Sequence, residues 1–143
     1  MKEFPYTELQ RKWLDDLKTT DAPQTKYVLL RLIAAYAKGD LQPVGYCCLG
    51  RACVVAGIPA KFNTKGGYAS FRNKVMSLPD ELWKDLKLRS ANGKIYPHIN
   101  IEGDENKDVG SLTELNDIFD WSFKQIAELI ENYPERVFTN LEE

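Results

Sequence analysis

The sequence predicts a mainly α fold of the α+β kind. We expect a single compact domain over residues 1-143, with about five or six helices and one small β-hairpin near residues 86-101. Several amphipathic segments begin with Ser or Thr followed three residues later by Glu or Gln, which is typical of a capped helix start. An Asn-Gly dipeptide at residues 92-93 lies between short extended runs, as in many hairpin turns. The length of 143 residues and the hydrophobic content of 43% fit one domain with one core.

The first helix is predicted from the segment TELQRKWLDDLKT, residues 7-19. Thr7 is its expected N-cap, and Leu9, Trp13, Leu14 and Leu17 form one apolar face. The next segment is KYVLLRLIAAYAKGD, and its end looks helical with Gly39 as the stop. Residues 27-33 are rich in β-branched and aliphatic side chains, so a strand is the alternative there. The length of the segment favours a buried helix.

The middle of the chain is predicted to hold two short helices and a loop. The first helix is CCLGRACVVAG, which ends at Gly57 because Pro59 blocks its continuation. A loop with a Gly66-Gly67 pair follows, and SFRNKVM is expected to form a helical turn. In SLPDELWKDLKL, Ser77 is the expected N-cap.

Two further helices are predicted near the C-terminus. Ser111 and Glu114 form one capping-box pattern, and Ser122 and Gln125 form a second. An apolar stripe continues the second helix as far as Pro134, which must end it. Between the two helices, Trp121 is expected to be partly exposed. The Asn-Asp pair at 116-117 is expected to be structural and to bond free backbone groups at this junction.

Composition excludes some classes of protein. The net charge is -2, so a sequence-independent nucleic-acid binder is not expected, although a local basic patch is compatible with this charge. No apolar run approaches the roughly 20 residues that cross a bilayer, and the N-terminus has no signal-peptide core. We therefore expect a cytoplasmic protein that does not enter a membrane, with thiols rather than disulfides.

All three cysteines, Cys47, Cys48 and Cys53, lie in one short segment. A structural zinc site needs four ligands in suitable pairs, and no second cluster exists, so no metal is expected. Cys47 lies at a helix N-terminus, where the dipole lowers a thiol pKa, and His98 is the only histidine that could act as its base. Packing is the favoured interpretation, because cysteine is a small and commonly buried residue. Gly50 and Ala52 would then let another backbone approach closely.

Two loops are candidates for ligand binding. An acidic loop offers Asp104, Asn106 and Asp108, but it departs from a calcium-binding loop at its sixth and twelfth positions, so a solvated loop is expected. A second loop, around Gly66-Gly67, combines cations with aromatic side chains. Its candidate binding residues for an anionic or nucleotide ligand are Lys61, Lys65, Tyr68 and Arg72, with Arg51 beneath them.

Several motifs occur in an order that resembles a known family. They are a K-W pair in an N-terminal helix, YCCLGRAC at residues 46-53, Leu78-Pro79, SLTELND at residues 111-117 and SFKQIAELIE at residues 122-131. This pattern is similar to that of a family of small phage and prophage proteins of uncharacterised function. The resemblance covers most of the chain. It implies viral origin and action inside a bacterial host cell, and it brings no established catalytic residue.

Two classes of function follow. The favoured hypothesis is a phage-encoded accessory protein that inhibits a host component, in particular an antiviral defence system, by blocking a protein or sequestering a signalling nucleotide. No catalytic residue, metal or cofactor is expected in that case, and the hypothesis is compatible with a homo-oligomer. The alternative is a thiol- or metal-dependent enzyme centred on Cys47 and His98.

Overall fold

A computed structural model of the chain describes residues 3-34, 41-63, 67-101 and 108-142, which form six helices and six strands. The helices are α1 (Glu8–Thr19), α2 (Cys48–Val55), α3 (Asp80–Asp85), α4 (Leu112–Asp117), α5 (Phe123–Asn132) and α6 (Pro134–Val137). The strands are β1 (Leu30–Ala34), β2 (Leu41–Tyr46), β3 (Lys61–Asn63), β4 (Tyr68–Ser70), β5 (Lys94–Asn100) and β6 (Asp108–Ser111).

The prediction of a mainly α fold is wrong, because helices do not dominate: the described residues form a mixed α+β structure with two sheets. The largest error lies in residues 27-33, where a helix was favoured and the strand β1 begins at Leu30. In β1 the exposed Arg31 separates the buried Leu30 and Leu32, which is the two-residue alternation of a strand. The strand that was the alternative for this segment is therefore the observed conformation, and its pairing with β2 and β4 stabilises it.

The larger sheet has four strands in the order β2-β1-β4-β3. All three pairings are antiparallel, and β1 meets β4 at Arg31 and Tyr68. Residues 61-63 and 68-70 were expected to be loop, yet they form the hairpin β3-β4. The predicted loop included the Gly66-Gly67 pair, and residues 64-66 lie outside the described residues.

The smaller sheet pairs β5 with β6, so the hairpin expected near residues 86-101 is displaced along the chain. Asn92-Gly93 is a turn that leads into β5, and Gly93 has a φ of 71° there. Its carbonyl accepts a hydrogen bond from Leu112 N at 2.9 Å. The partner strand therefore follows the acidic segment rather than preceding the Asn-Gly turn.

The expected helical turn at SFRNKVM is instead a two-residue β-turn. Phe71 and Lys74 exchange backbone hydrogen bonds of 2.9 and 3.0 Å. The two residues between them, Arg72 and Asn73, have φ values of 50° and 69°. Positive φ at both central positions defines a type I′ turn, which matches the twist of paired strands.

Most of the expected helix caps are present. Thr7 and Ser122 each form a complete capping box, and the Ser111 side chain accepts a hydrogen bond from Glu114 N. Ser77 does not cap α3, which begins after Pro79 without a side-chain cap. Pro79 is itself the N-cap residue, and its side chain has no oxygen that could accept the capping hydrogen bond.

The core is one cluster of buried side chains that runs from α1 to the C-terminal end of α6. Trp13, Leu14 and Leu17 of α1 are at most 1% exposed, as the apolar face predicted. The Trp13 indole donates a hydrogen bond to Cys48 O at 3.0 Å, which joins α1 to the start of α2. None of the helices in the described ranges is both long enough and apolar enough to cross a membrane.

Candidate functional site

The three cysteines are packed into the core around α2. Cys47 is the N-cap of α2, and its sulfur accepts a hydrogen bond from Gly50 N at 3.3 Å. Cys48 and Cys53 have no exposed surface, and the Cys48 thiol lies 3.9 Å from Leu112 O. Each of these side chains therefore has a structural role of the kind expected from packing.

Burial decides the acidity of these thiols. It raises the pKa of Cys47 and of Cys53 from 9.0 to about 12, and it raises the pKa of Cys48 as well. The helix N-terminus was expected to lower the pKa of Cys47. The loss of water outweighs that effect, because a thiolate in an apolar interior lacks solvation.

His98, the expected base, lies on β5 and its side chain is exposed. Its imidazole covers Gly110 so closely that a Cβ there would lie 2.8 Å from Nε2. Cys47, by contrast, is buried at the start of α2. In the described parts of the chain, no group of three or more His, Cys, Asp or Glu side chains is placed to hold a metal ion.

The buried thiols predict a loss of stability at alkaline pH. Above pH 9 each thiol ionises in the unfolded chain but stays protonated in the folded protein, so the free energy of unfolding falls until the folded pKa is reached. The expected slope is about 1.4 kcal/mol per pH unit for each such thiol. Urea unfolding between pH 8 and 11 measures this, and Cys53→Ala should show a shallower decline than the wild type. Equal slopes for the two proteins would contradict the burial of Cys53.

The cationic surface predicted around the Gly66-Gly67 loop is partly assembled by the β3-β4 hairpin. Lys61 and Ser70 are cross-strand partners, and so are Asn63 and Tyr68. Partners in an antiparallel pair share one face of the sheet, and alternation places these four residues on the same face. The opposite face carries Ala69, which is fully buried. We call the face with Lys61, Asn63, Tyr68 and Ser70, together with Arg31, the hairpin face.

Arg31 belongs to this face and was not singled out from the sequence. It pairs directly with Tyr68 across β1 and β4, and its side chain is exposed. Its Nε donates to Thr25 Oγ1 at 3.2 Å. A single charged residue between buried leucines is the signal that could have identified it, because such a residue marks the solvent side of a strand.

A groove of about 290 Å³ lies on the hairpin face. Its polar lining is Lys61, Asn63, Tyr68, Ser70 and Asn73. No carboxylate lines it among the described residues, so hydrogen-bond donors and one cation dominate its chemistry. Such a lining favours an anionic ligand.

The other candidate residues lie elsewhere or outside the described ranges. Arg51 is turned toward α1, where Nε and Nη2 donate to the two oxygens of Asp16 at 2.9 and 2.7 Å. It also stacks on Tyr46 and is only 11% exposed, so it does not join the hairpin face. Arg72 is exposed and pairs with Glu81 at 2.7 Å. Lys65 lies outside the described residues, as do Asp104 and Asn106 of the acidic loop.

The Asn-Asp pair at residues 116-117 is a buried polar junction. Asn116 Oδ1 accepts hydrogen bonds from Cys48 N and Gln24 Nε2, and Nδ2 donates to Thr25 O and to Asp117. The Asp117 carboxylate accepts from Tyr27 N at 3.0 Å. The pair is structural, as the sequence indicated. Its partners, however, lie in residues 24-27 and at the start of α2 rather than at the α4-α5 junction.

Comparison with known proteins gives no relative: no protein-family model, no curated protein and no solved structure matches this chain. The functional proposals therefore rest on the residues themselves, on their geometry and on the resemblance to small phage proteins.

Proposed function

We propose that this chain is a phage-encoded, non-catalytic binding protein that inhibits an antiviral defence system in the cytoplasm of its bacterial host. The observation that carries the proposal is the hairpin face, where exposed cations and hydrogen-bond donors surround an aromatic side chain. The phage context comes from the resemblance of the sequence motifs.

The chemistry of the hairpin face selects an anionic target. Lys61 forms no ion pair with a described residue, and Arg31 contacts a hydroxyl rather than a carboxylate. Both charges are therefore available to a partner. The net charge of the chain is -2, so the rest of the surface is acidic relative to this face. An approaching anion would be oriented toward the hairpin face by that asymmetry.

Two kinds of anionic target fit this chemistry. One is the acidic surface of a host defence protein, and the other is the phosphate of a signalling nucleotide. Tyr68 would contact either one, because its ring can pack against apolar atoms while its hydroxyl takes part in hydrogen bonds. Binding would keep the target from its normal partner, and this would inhibit the defence system without any chemical step.

Affinity capture from bacterial lysate tests this proposal. The baits are the wild type, Lys61→Glu and the matched charge control Lys124→Glu, whose side chain is exposed on α5. Captured proteins and the small molecules released on denaturation are identified by mass spectrometry. We expect the wild type and Lys124→Glu to enrich the same protein or anionic small molecule. The captured amount should fall by about tenfold or more with Lys61→Glu.

Two outcomes would contradict the proposal. One is capture that both charge reversals leave unchanged, or that both reduce equally, because the hairpin face would then have no special role. The other is turnover of a substrate that requires Cys47 and His98, which would support the enzyme alternative instead. Circular dichroism and melting temperature of each variant verify that the fold is intact.

A further inference from the structure

A second groove lies on another part of the molecule, between the end of β5 and α5. Its volume is about 340 Å³, within the range of small-molecule sites. Ile99 and Leu129 supply apolar lining, and Trp121 and Tyr133 supply aromatic rings. No cation lines this groove among the described residues, so its chemistry differs from that of the hairpin face.

The polar lining of the groove comes from one face of α5. Gln125, Glu128 and Asn132 are spaced by three and four residues, so they follow one another along the helix. At a rise of 1.5 Å per residue they span roughly 10 Å. Aromatic rings therefore flank a row of hydrogen-bonding groups on a rigid element.

These polar groups can form hydrogen bonds with a ligand. Gln125 Oε1 accepts the capping hydrogen bond from Ser122 N at 2.9 Å, which fixes the amide and directs its donor group away from the cap. The Glu128 carboxylate forms no ion pair with any described residue. Asn132 is exposed at the end of α5, where its amide can both donate and accept.

The backbone of Trp121 is held at one end of the groove. Its backbone N–H donates to Leu115 O at 3.0 Å, and its backbone carbonyl accepts from Gln24 Nε2 at 2.7 Å. The side chain is partly buried, as the sequence indicated, so one part of the ring packs on the core while another part lines the groove. A partly exposed indole that packs on the core is a suitable stacking surface for a planar ring.

We propose that this groove binds a nucleobase that carries an exocyclic amine. The base would stack on Trp121, and its amine would donate to the Glu128 carboxylate. The amides of Gln125 and Asn132 would bond the remaining base edge and the attached ribose. Carboxylates accept hydrogen bonds from the amines of bases, and amide side chains bond base edges that both donate and accept.

Other ligand classes fit the lining less well. A bare phosphate would meet a carboxylate and, among the described lining residues, no cation. An organic cation could not stack on the Tyr133 ring, because the guanidinium of Arg136 already lies 4.9 Å from the centre of that ring. A neutral planar ring with amine donors avoids both conflicts.

Titration with nucleosides tests the inference. The probes are adenosine and cytidine, with ribose as the control that lacks a base, and the readouts are tryptophan fluorescence and calorimetry. We expect binding of the nucleosides but not of ribose. Trp121→Leu should weaken binding by about tenfold or more, and Glu128→Gln should do the same for these amine-bearing bases. Trp83→Leu, at a partly buried tryptophan outside the groove, should bind as the wild type does.

Lys61→Glu separates this inference from the proposed function, because Lys61 lies on the hairpin face. Retained nucleoside binding in that variant supports the second groove. Three results would overturn the inference: no binding at millimolar nucleoside, equal binding of ribose, or binding that Trp121→Leu leaves unchanged in a folded protein. The inhibitor proposal would stand in each case.

Discussion

Replacing Gly50 by alanine is expected to lower the free energy of unfolding by about 3 kcal/mol or more. A Cβ at this position would lie 1.9 Å from Leu29 O, far inside the contact distance, and the atom it meets is backbone. Helix propensity alone predicts the opposite, a gain of about 1 kcal/mol for alanine inside a helix. The steric contact dominates because α2 or the backbone of Leu29, which directly precedes β1, must move to relieve it. Urea unfolding measures the difference.

Gly57→Ala is the matched control for this prediction. Gly57 has a φ of 76°, and a Cβ there would meet no atom within 4 Å. Its replacement should cost only the strain of a left-handed residue, about 1–2 kcal/mol. If Gly50→Ala proved no more destabilising than Gly57→Ala, the close approach of α2 to Leu29 would be refuted.

Replacing Asn116 by alanine is expected to cost about 3 kcal/mol. The amide is 2% exposed and bonds the backbone of Cys48 and Thr25, whose polar groups would lose their partner. The unpaired N–H of Cys48 would remain buried at the start of α2, where no water replaces the lost bond. Thermal and urea unfolding measure this loss.

Asn132→Ala provides the comparison for Asn116→Ala. Asn132 is exposed at the end of α5, so its truncation should change the free energy of unfolding by less than about 0.5 kcal/mol. Similar effects of the two substitutions would show that the buried junction does not hold residues 24-27 against α2 and α4.

The elements that depend on local chemistry could be predicted from the sequence. Thr7 and Ser122 cap the helices that they were expected to cap, because a capping box involves only residues close in the chain. The buried helix at CCLGRACVVAG was also predicted, since its small side chains allow close packing. Both rest on short-range patterns.

The sheet could not be predicted in this way, because its pairings are long-range. Arg31 meets Tyr68 across thirty-seven positions of sequence, and the β5-β6 pairing bridges the acidic segment. The candidate site could be predicted only in part for the same reason. Lys61 and Tyr68 are close in sequence and were both predicted. Arg31 lies beside Tyr68 only because β1 pairs with β4, and Arg51 binds Asp16 on α1 instead of lying on the hairpin face.

Phage plating tests the central claim, that this chain protects a phage by binding through the hairpin face. The wild type, Lys61→Glu, Lys124→Glu and Cys47→Ser are expressed in bacteria that carry different defence systems, and each strain is infected with a phage that its system restricts. Cys47→Ser removes the thiol but keeps an oxygen that can cap α2. We predict that the wild type, Lys124→Glu and Cys47→Ser restore plating on the same strain, while folded Lys61→Glu does not. Restoration that survives Lys61→Glu but is lost with Cys47→Ser, or the absence of restoration on every strain, would contradict the claim.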